Sequence, residues 1–150
     1  MPIKTFRGKL ADGGQDRIRL STIRGQIGYH IIKFQLLPID PMSNNQESVV
    51  KIFTREQPDL GGGVFATGDI DFSDSDLLAA AYMENDNSGS TPTYSEAAVI
   101  FDRVAINQDI YITHLEQGAD ACNYYIELEA MKLSLDESAV ATLKDMRGTN

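Results

Sequence analysis

The sequence predicts a mainly β protein, an antiparallel β-sandwich that is jelly-roll-like and carries a short C-terminal helix. Apolar residues recur at every second position along several short segments, as expected for half-buried strands whose successive side chains point to opposite faces. Gly, Pro, Asn and Asp residues separate these segments at turn-like intervals. Of the 150 residues, 42% are hydrophobic, which is enough to build one core, so we expect a single β-sandwich domain over residues 1–150.

The first strands are separated by turn residues. Asp12-Gly13-Gly14 predicts a hairpin between the first two strands. Charged and apolar residues alternate over Arg17–Ser21, which predicts the second strand. A third strand covers Tyr29–Leu36 and ends before Pro38, because proline has no N–H to donate to a sheet. Val49–Phe53 is the next strand.

Further strands are predicted in the second half of the chain, at Val99–Phe101, Asp109–His114 and Asn123–Leu133. The apolar alternation of the last strand changes phase after Leu128, and a β-bulge near Ala130 would repair it.

The segment Leu77–Tyr82 is ambiguous. The preceding Ser and Asp residues could cap a short helix, but a strand fits the even spacing of the others, and we favour it. The apolar members of the alternating segments form the predicted core: Ile18, Leu20, Ile32, Phe34, Leu36, Ile52, Phe101, Ile110, Ile112, Ile126 and Leu128.

A helix over about residues 135–147 is predicted by a capping box, in which Ser134 precedes the helix and Glu137 follows three residues later. Its apolar stripe includes Leu143 and Met146. A helix of about three turns is marginal alone, so we expect the stripe to pack against the sandwich or a neighbouring subunit.

The charge argues against two classes of partner. The net charge is −9, whereas binding to nucleic acid or to an anionic membrane requires clustered Lys and Arg. The opening Met1–Gly8 lacks a signal-peptide pattern, and we expect synthesis in a cytoplasm.

No catalytic signature is present. The single cysteine, Cys122, excludes an internal disulfide and is best interpreted as a buried structural residue. His30 and His114 lack the local spacing of metal ligands. Glu127 and Glu129 could pair for acid–base chemistry, but exposure on one strand face explains them more simply. We therefore predict a protein that is not an enzyme.

Two acidic loops are candidate calcium sites. Asp69, Asp71 and Asp74 form the first, and Glu84 and Asp86 begin the second. Oxygen ligands at alternate positions suit Ca²⁺. The first loop lacks the Gly at position six of an EF-hand and the second lacks its Glu at position twelve. Solvated turns are the simpler interpretation, and we predict no cofactor.

Cations are concentrated near the N-terminus, in a chain that is otherwise acidic. A basic patch that meets an acidic surface on a neighbour would produce head-to-tail docking, although two strands with a solvated face would have the same composition. The candidate assembly contacts are Arg7, Lys9, Arg17, Arg19, Arg24, Leu143 and Met146.

Several stretches along nearly the whole chain resemble small virion structural proteins of marine tailed bacteriophages: Lys4–Gly8, Asp12–Thr22, Gly28–Tyr29, Phe53, Leu77–Tyr82, Asn107–Tyr111, Ala121–Glu129 and Val140–Asp145. The resemblance implies a structural role in the particle, most often as a capsid decoration or cement protein on the outside of the phage head. The implied partners are capsid or other virion proteins and further copies of the chain. The alternatives are a tail or neck component, or a small-ligand or carbohydrate-binding β-sandwich, with calcium dependence if the acidic loops bind the ion.

Overall fold

A computed structural model describes residues 2–20, 27–42, 45–87, 91–101 and 105–133, and the regular structure in these ranges is entirely β. These ranges contain eight strands: β1 (Ile3–Leu10), β2 (Gln15–Ile18), β3 (Ile27–Pro38), β4 (Gln46–Phe53), β5 (Leu77–Asp86), β6 (Thr93–Ile100), β7 (Ile110–Glu116) and β8 (Cys122–Lys132). The described part contains no helix that could span a membrane. The predicted helix over 135–147 lies outside the described residues.

The strands form two antiparallel sheets. One has three strands in the order β1-β8-β3, and the other has five in the order β2-β7-β4-β5-β6. The pairing is nested, since β1 pairs with β8, β2 with β7 and β4 with β5. Continued nesting would pair β3 with β6, but β6 pairs with β5 instead.

One hydrophobic cluster contains residues of both sheets, including Phe34 and Ile126 from the first and Ile52 and Ile112 from the second. β8 shows why the alternation was informative, because its residues alternate between buried and half-buried positions from Cys122 to Ala130. Nine of the eleven predicted core residues are buried. The other two are Phe101, which is only partly buried, and Ile32.

The prediction for Ile32 is wrong, because its side chain is 43% exposed. The pairing of β3 with β8 shifts by one residue between Ile31 and Lys33. This bulge reverses the parity of β3, so that Ile31 packs against the core and Ile32 points outward. The bulge predicted near Ala130 is also wrong, since the register of β8 is continuous there.

The prediction of a hairpin at Asp12-Gly13-Gly14 is wrong as well. A turn is present, with Gly13 at φ 78° and the Gly14 N–H donating to the Ala11 carbonyl at 2.9 Å. However, β1 and β2 belong to different sheets, so the turn carries the chain from one sheet to the other. Strand β2 also ends earlier than predicted, at Ile18. The segment Leu77–Tyr82 is a strand, as favoured.

Candidate functional site

Strand β1 presents two of the predicted assembly residues to solvent. Arg7 and Lys9 are exposed, whereas Leu10 is buried in the core. Among the described residues β1 pairs only with β8, so its other edge has no strand partner. The strand also contains Lys4 and has no acidic residue. β1 is therefore an exposed, basic sheet edge.

Arg17, another candidate assembly contact, forms an ion pair within the chain. Its guanidinium contacts Asp109 Oδ2 through Nε at 2.7 Å and through Nη2 at 2.5 Å. This hydrogen bond raises the pKa of Arg17. Asp109 is buried, and its other oxygen accepts from the Leu20 N–H at 2.8 Å, which explains why the ladder of β2 does not continue. Arg17 thus links β2 to Asp109, directly before β7, and its side chain is still half-exposed.

The remaining assembly candidates are not brought together in the described part of the chain. Arg19 is exposed just after β2. Arg24, Leu143 and Met146 lie outside the described residues.

An open polar groove of about 810 Å³ lies beside Arg17. Arg17 and Tyr111 line one part, and the segment 54–59 lines another. Arg55 in that segment pairs with the buried Asp76, with Nε 2.9 Å from Oδ2. The segment is tied to β2 because the Gln57 N–H donates to Gln15 Oε1 at 2.8 Å. The groove therefore presents two guanidinium groups that are each paired with a carboxylate, the side chains of Glu56 and Asp59, and the ring of Tyr111. This mixed polar lining suits a hydroxylated ligand.

The first acidic loop uses its carboxylates locally. Asp69 accepts a hydrogen bond from the Thr67 hydroxyl, Asp71 accepts from the Ser73 N–H at 2.9 Å, and Asp74 from the Asp76 N–H at 2.9 Å. The bonds of Asp71 and Asp74, each from the backbone N–H two residues later, are typical of Asx turns.

The second acidic loop begins at the end of β5. Glu84 and Asp86 line a cleft of about 370 Å³ together with Glu47, Glu116 and Asp120. Despite these five carboxylates, the described ranges contain no group of three His, Cys, Asp or Glu side chains with metal-site geometry.

His114 belongs to a buried polar network. It is 0% exposed, and its Nδ1 lies 3.1 Å from the carbonyl oxygens of both Leu10 and Ala11. A carbonyl can only accept, so Nδ1 carries the proton and Nε2 accepts from the Ser48 hydroxyl at 2.9 Å. Burial lowers the pKa of His114. The Ser–His pair therefore has no contact with solvent.

Cys122 is buried, as predicted. Burial raises the pKa of its thiol to about 12, so the reactive thiolate is scarce near neutral pH. Glu127 and Glu129 lie half-buried on the side of β8 opposite the core, with Glu127 accepting from the Tyr125 hydroxyl at 2.8 Å.

Sequence reasoning missed the groove. Arg17 and Asp109 are 92 residues apart, and no local pattern marks either as half of an ion pair. The one available signal was Asp109 directly before an alternating strand, since a carboxylate at that position often binds nearby backbone N–H groups.

Comparisons with known proteins add little. No family model and no curated protein matches the chain. Among solved structures it is similar to the tailspike protein of Acinetobacter phage vB_ApiP_P1, with 11% identity and a TM-score of 0.19 over 84% of this chain. The match spans 21% of the tailspike chain. A similarity at this level supports no conclusion about fold or function.

Proposed function

We propose that this protein is a non-enzymatic structural protein of a virion, and that it decorates the outside of a phage head as a cement protein. In this proposal it is made in the host cytoplasm and binds capsid proteins and further copies of itself. The single observation that carries the proposal is the exposed, basic edge of β1 on a chain whose net charge is −9. Such a charge division favours specific docking between copies or onto an acidic surface.

The fold supports the proposal by analogy. We infer that the two sheets form a β-sandwich of the jelly-roll type. The nested pairs β1·β8, β2·β7 and β4·β5 are those of a jelly roll, and only the β3·β6 pair is replaced by β5·β6. Jelly rolls occur in viral capsid proteins and also in lectins, so the fold fits both a virion protein and a carbohydrate-binding protein.

The buried groups support a role without catalysis. Ser48, His114 and Cys122 are the side chains of the described residues that most resemble catalytic groups, and all three are at most 1% exposed. A substrate cannot reach them without opening the core.

The proposal is tested by charge reversal on β1. Particles are purified from cells that make the chain, and quantitative mass spectrometry measures the copy number of the chain per particle. The wild type is compared with Arg7→Glu/Lys9→Glu. The control is Lys132→Glu, which reverses an exposed charge at the end of β8. We expect the double variant to lose at least about tenfold in occupancy, and the control to retain it. Absence of the wild-type chain from the particles would refute the proposal, and density at the tail or neck would reassign the location.

The polar groove favours a second candidate, a carbohydrate-binding protein. Arg17, Arg55 and Tyr111 supply the hydrogen-bond donors and the ring that sugars commonly contact. Thermal melting with a panel of neutral and acidic oligosaccharides, each with calcium or EDTA, tests it, because a ligand of the folded state raises the melting temperature. A shift that Arg55→Ala abolishes would favour this candidate, and a shift that depends on calcium would implicate the acidic loops.

A further inference from the structure

Strand β6 is an unusually exposed edge strand. Seven of its eight residues are exposed and the eighth is half-buried, although a strand normally buries one face. The exposed side chains include Tyr94 at 48% and Val99 at 43%. The neighbouring Phe72 is 58% exposed and packs edge-on against Phe101. Several exposed apolar side chains therefore lie along the β6 edge of the five-stranded sheet.

The backbone groups along this edge can be assigned. The Phe101 N–H donates to the Leu78 carbonyl at 3.0 Å. In an antiparallel ladder, hydrogen-bonded pairs alternate with non-hydrogen-bonded pairs. In the register of β5 and β6, Ala97 and Val99 therefore bond to β5, whereas the N–H and C=O groups of Glu96 and Ala98 point away from it.

These outward groups have no strand partner among the described residues. In a jelly roll β3 would lie beside β6, but in the described part of the chain the hydrogen bonds between these two strands come from side chains of β6. Glu96 Oε1 accepts from the Leu36 N–H at 2.9 Å, and the Tyr94 hydroxyl lies 3.4 Å from the Leu36 carbonyl. β6 has neither a proline nor a lysine, the residues that commonly protect an open edge from pairing. Such an edge is a template for an added strand.

Strand β1 is also an edge strand, and it lies on the opposite side of the molecule from β6. β3 contacts β6, whereas β1 contacts β2. One copy therefore cannot join its own β1 to its own β6, but two copies can join head to tail.

The charges of the two edges are complementary. β1 contains Lys4, Arg7 and Lys9 without an acidic residue. Glu96 lies on β6, and the paired strand β5 places Glu84 and Asp86 opposite Ser95 and Thr93.

We propose that β6 of one copy pairs with β1 of the next, so that copies assemble head to tail by β-strand addition. The inference rests on the self-association in the proposed function, and it names β1 and β6 as the strands through which copies bind. A heterologous contact of this kind closes into a ring or extends as a filament.

The experiment uses two variants of the full chain that each damage one edge. Ala98→Pro removes an outward N–H while leaving the bonds to β5, and proline is tolerated on edge strands. Its control is Ala98→Val, which keeps the N–H. Arg7→Glu/Lys9→Glu reverses the charge of the other edge. Melting temperature and circular dichroism establish that each variant is folded. Sedimentation velocity at low ionic strength, up to the highest soluble concentration, measures assembly.

We expect wild type and Ala98→Val to form oligomers that dissociate as salt is added, and each edge variant alone to be monomeric. An equimolar mixture of the two edge variants should form a 1:1 dimer, because Ala98→Pro retains an intact β1 and the charge variant retains an intact β6. If Ala98→Pro does not fold, wild type mixed with the charge variant should give shorter assemblies.

Three outcomes would overturn the inference. A charge variant that still dimerises would indicate symmetric pairing of β6 with β6. A monomeric wild type would mean that the partner of the β6 edge is either residues 134–150 of the same chain or a different virion protein. Truncation after Leu133 distinguishes these two cases. Ala98→Pro that assembles like wild type would exclude β6. The proposed function survives all three if the chain still co-purifies with particles.

Discussion

Replacement of His114 tests the buried network that joins three strands. His114→Leu keeps a similar volume but removes both ring nitrogens. The Ala11 carbonyl retains a bond from the Gly14 N–H at 2.9 Å, and the Ser48 oxygen still accepts from Gln46 Nε2 at 2.9 Å. The Ser48 hydroxyl, however, loses its buried acceptor. One buried polar group left unsatisfied costs about 1–3 kcal/mol, and we expect the free energy of unfolding to fall by that amount at pH 7.5.

The pH dependence gives an independent check. Burial lowers the pKa of His114, so below the unfolded value of about 6.5 the unfolded chain binds a proton that the folded chain does not. The contribution of the neutral, buried His114 to stability is therefore complete above about pH 6.5 and declines as the pH falls below that value. In the His114→Leu variant, the part of the acid-induced loss of stability that comes from His114 should be absent.

Urea unfolding at several pH values measures both effects. The matched control is His30→Leu, since His30 is half-buried on β3 of the other sheet, and we expect a pH profile that keeps the decline assigned to His114. Equal stability of His114→Leu and wild type, or an unchanged pH profile, would refute the assigned tautomer and network.

The other predictions concern packing and reactivity. Gly8→Ala should destabilise the protein by about 1–3 kcal/mol in a urea unfolding titration, because a Cβ at Gly8 would lie 2.7 Å from the Tyr124 hydroxyl oxygen. The control is Gly68→Ala, where the nearest atom to the added Cβ would lie at 3.6 Å. Phe34→Ala should cost about 3–5 kcal/mol, since Phe34 is 4% exposed, and a loss under about 1 kcal/mol in that titration would contradict the register of β3. Cys122 should react with a thiol reagent at pH 8 only after unfolding, because its thiol is buried with a pKa of about 12, and fast labelling of the folded protein would contradict its burial.

The sequence was most informative where one face of a strand is buried. The alternation of β8 identified Ile126 and Leu128 correctly, because period two follows directly from one-sided burial. For β6 the same method found only its end, since a strand exposed on both faces has no alternation. The bulge at Ile32 was missed because an inserted residue depends on the register with β8, which is a long-range property.

Turn residues showed a similar limit. Asp12-Gly13-Gly14 correctly indicated a turn, because glycine at positive φ is a local requirement. It did not indicate which strands pair, and the inference of a hairpin failed for that reason. The polar groove likewise depends on Arg17 and Asp109, which only the fold brings together.

Imaging of particles tests the central claim most directly. Cryo-electron microscopy of particles purified from cells that make the chain would locate its density. We predict density for two packed antiparallel sheets on the outer surface of the head, with the basic β1 edge of each copy against a neighbouring copy or the capsid. Particles that lack this density at head, neck and tail alike would contradict a virion role.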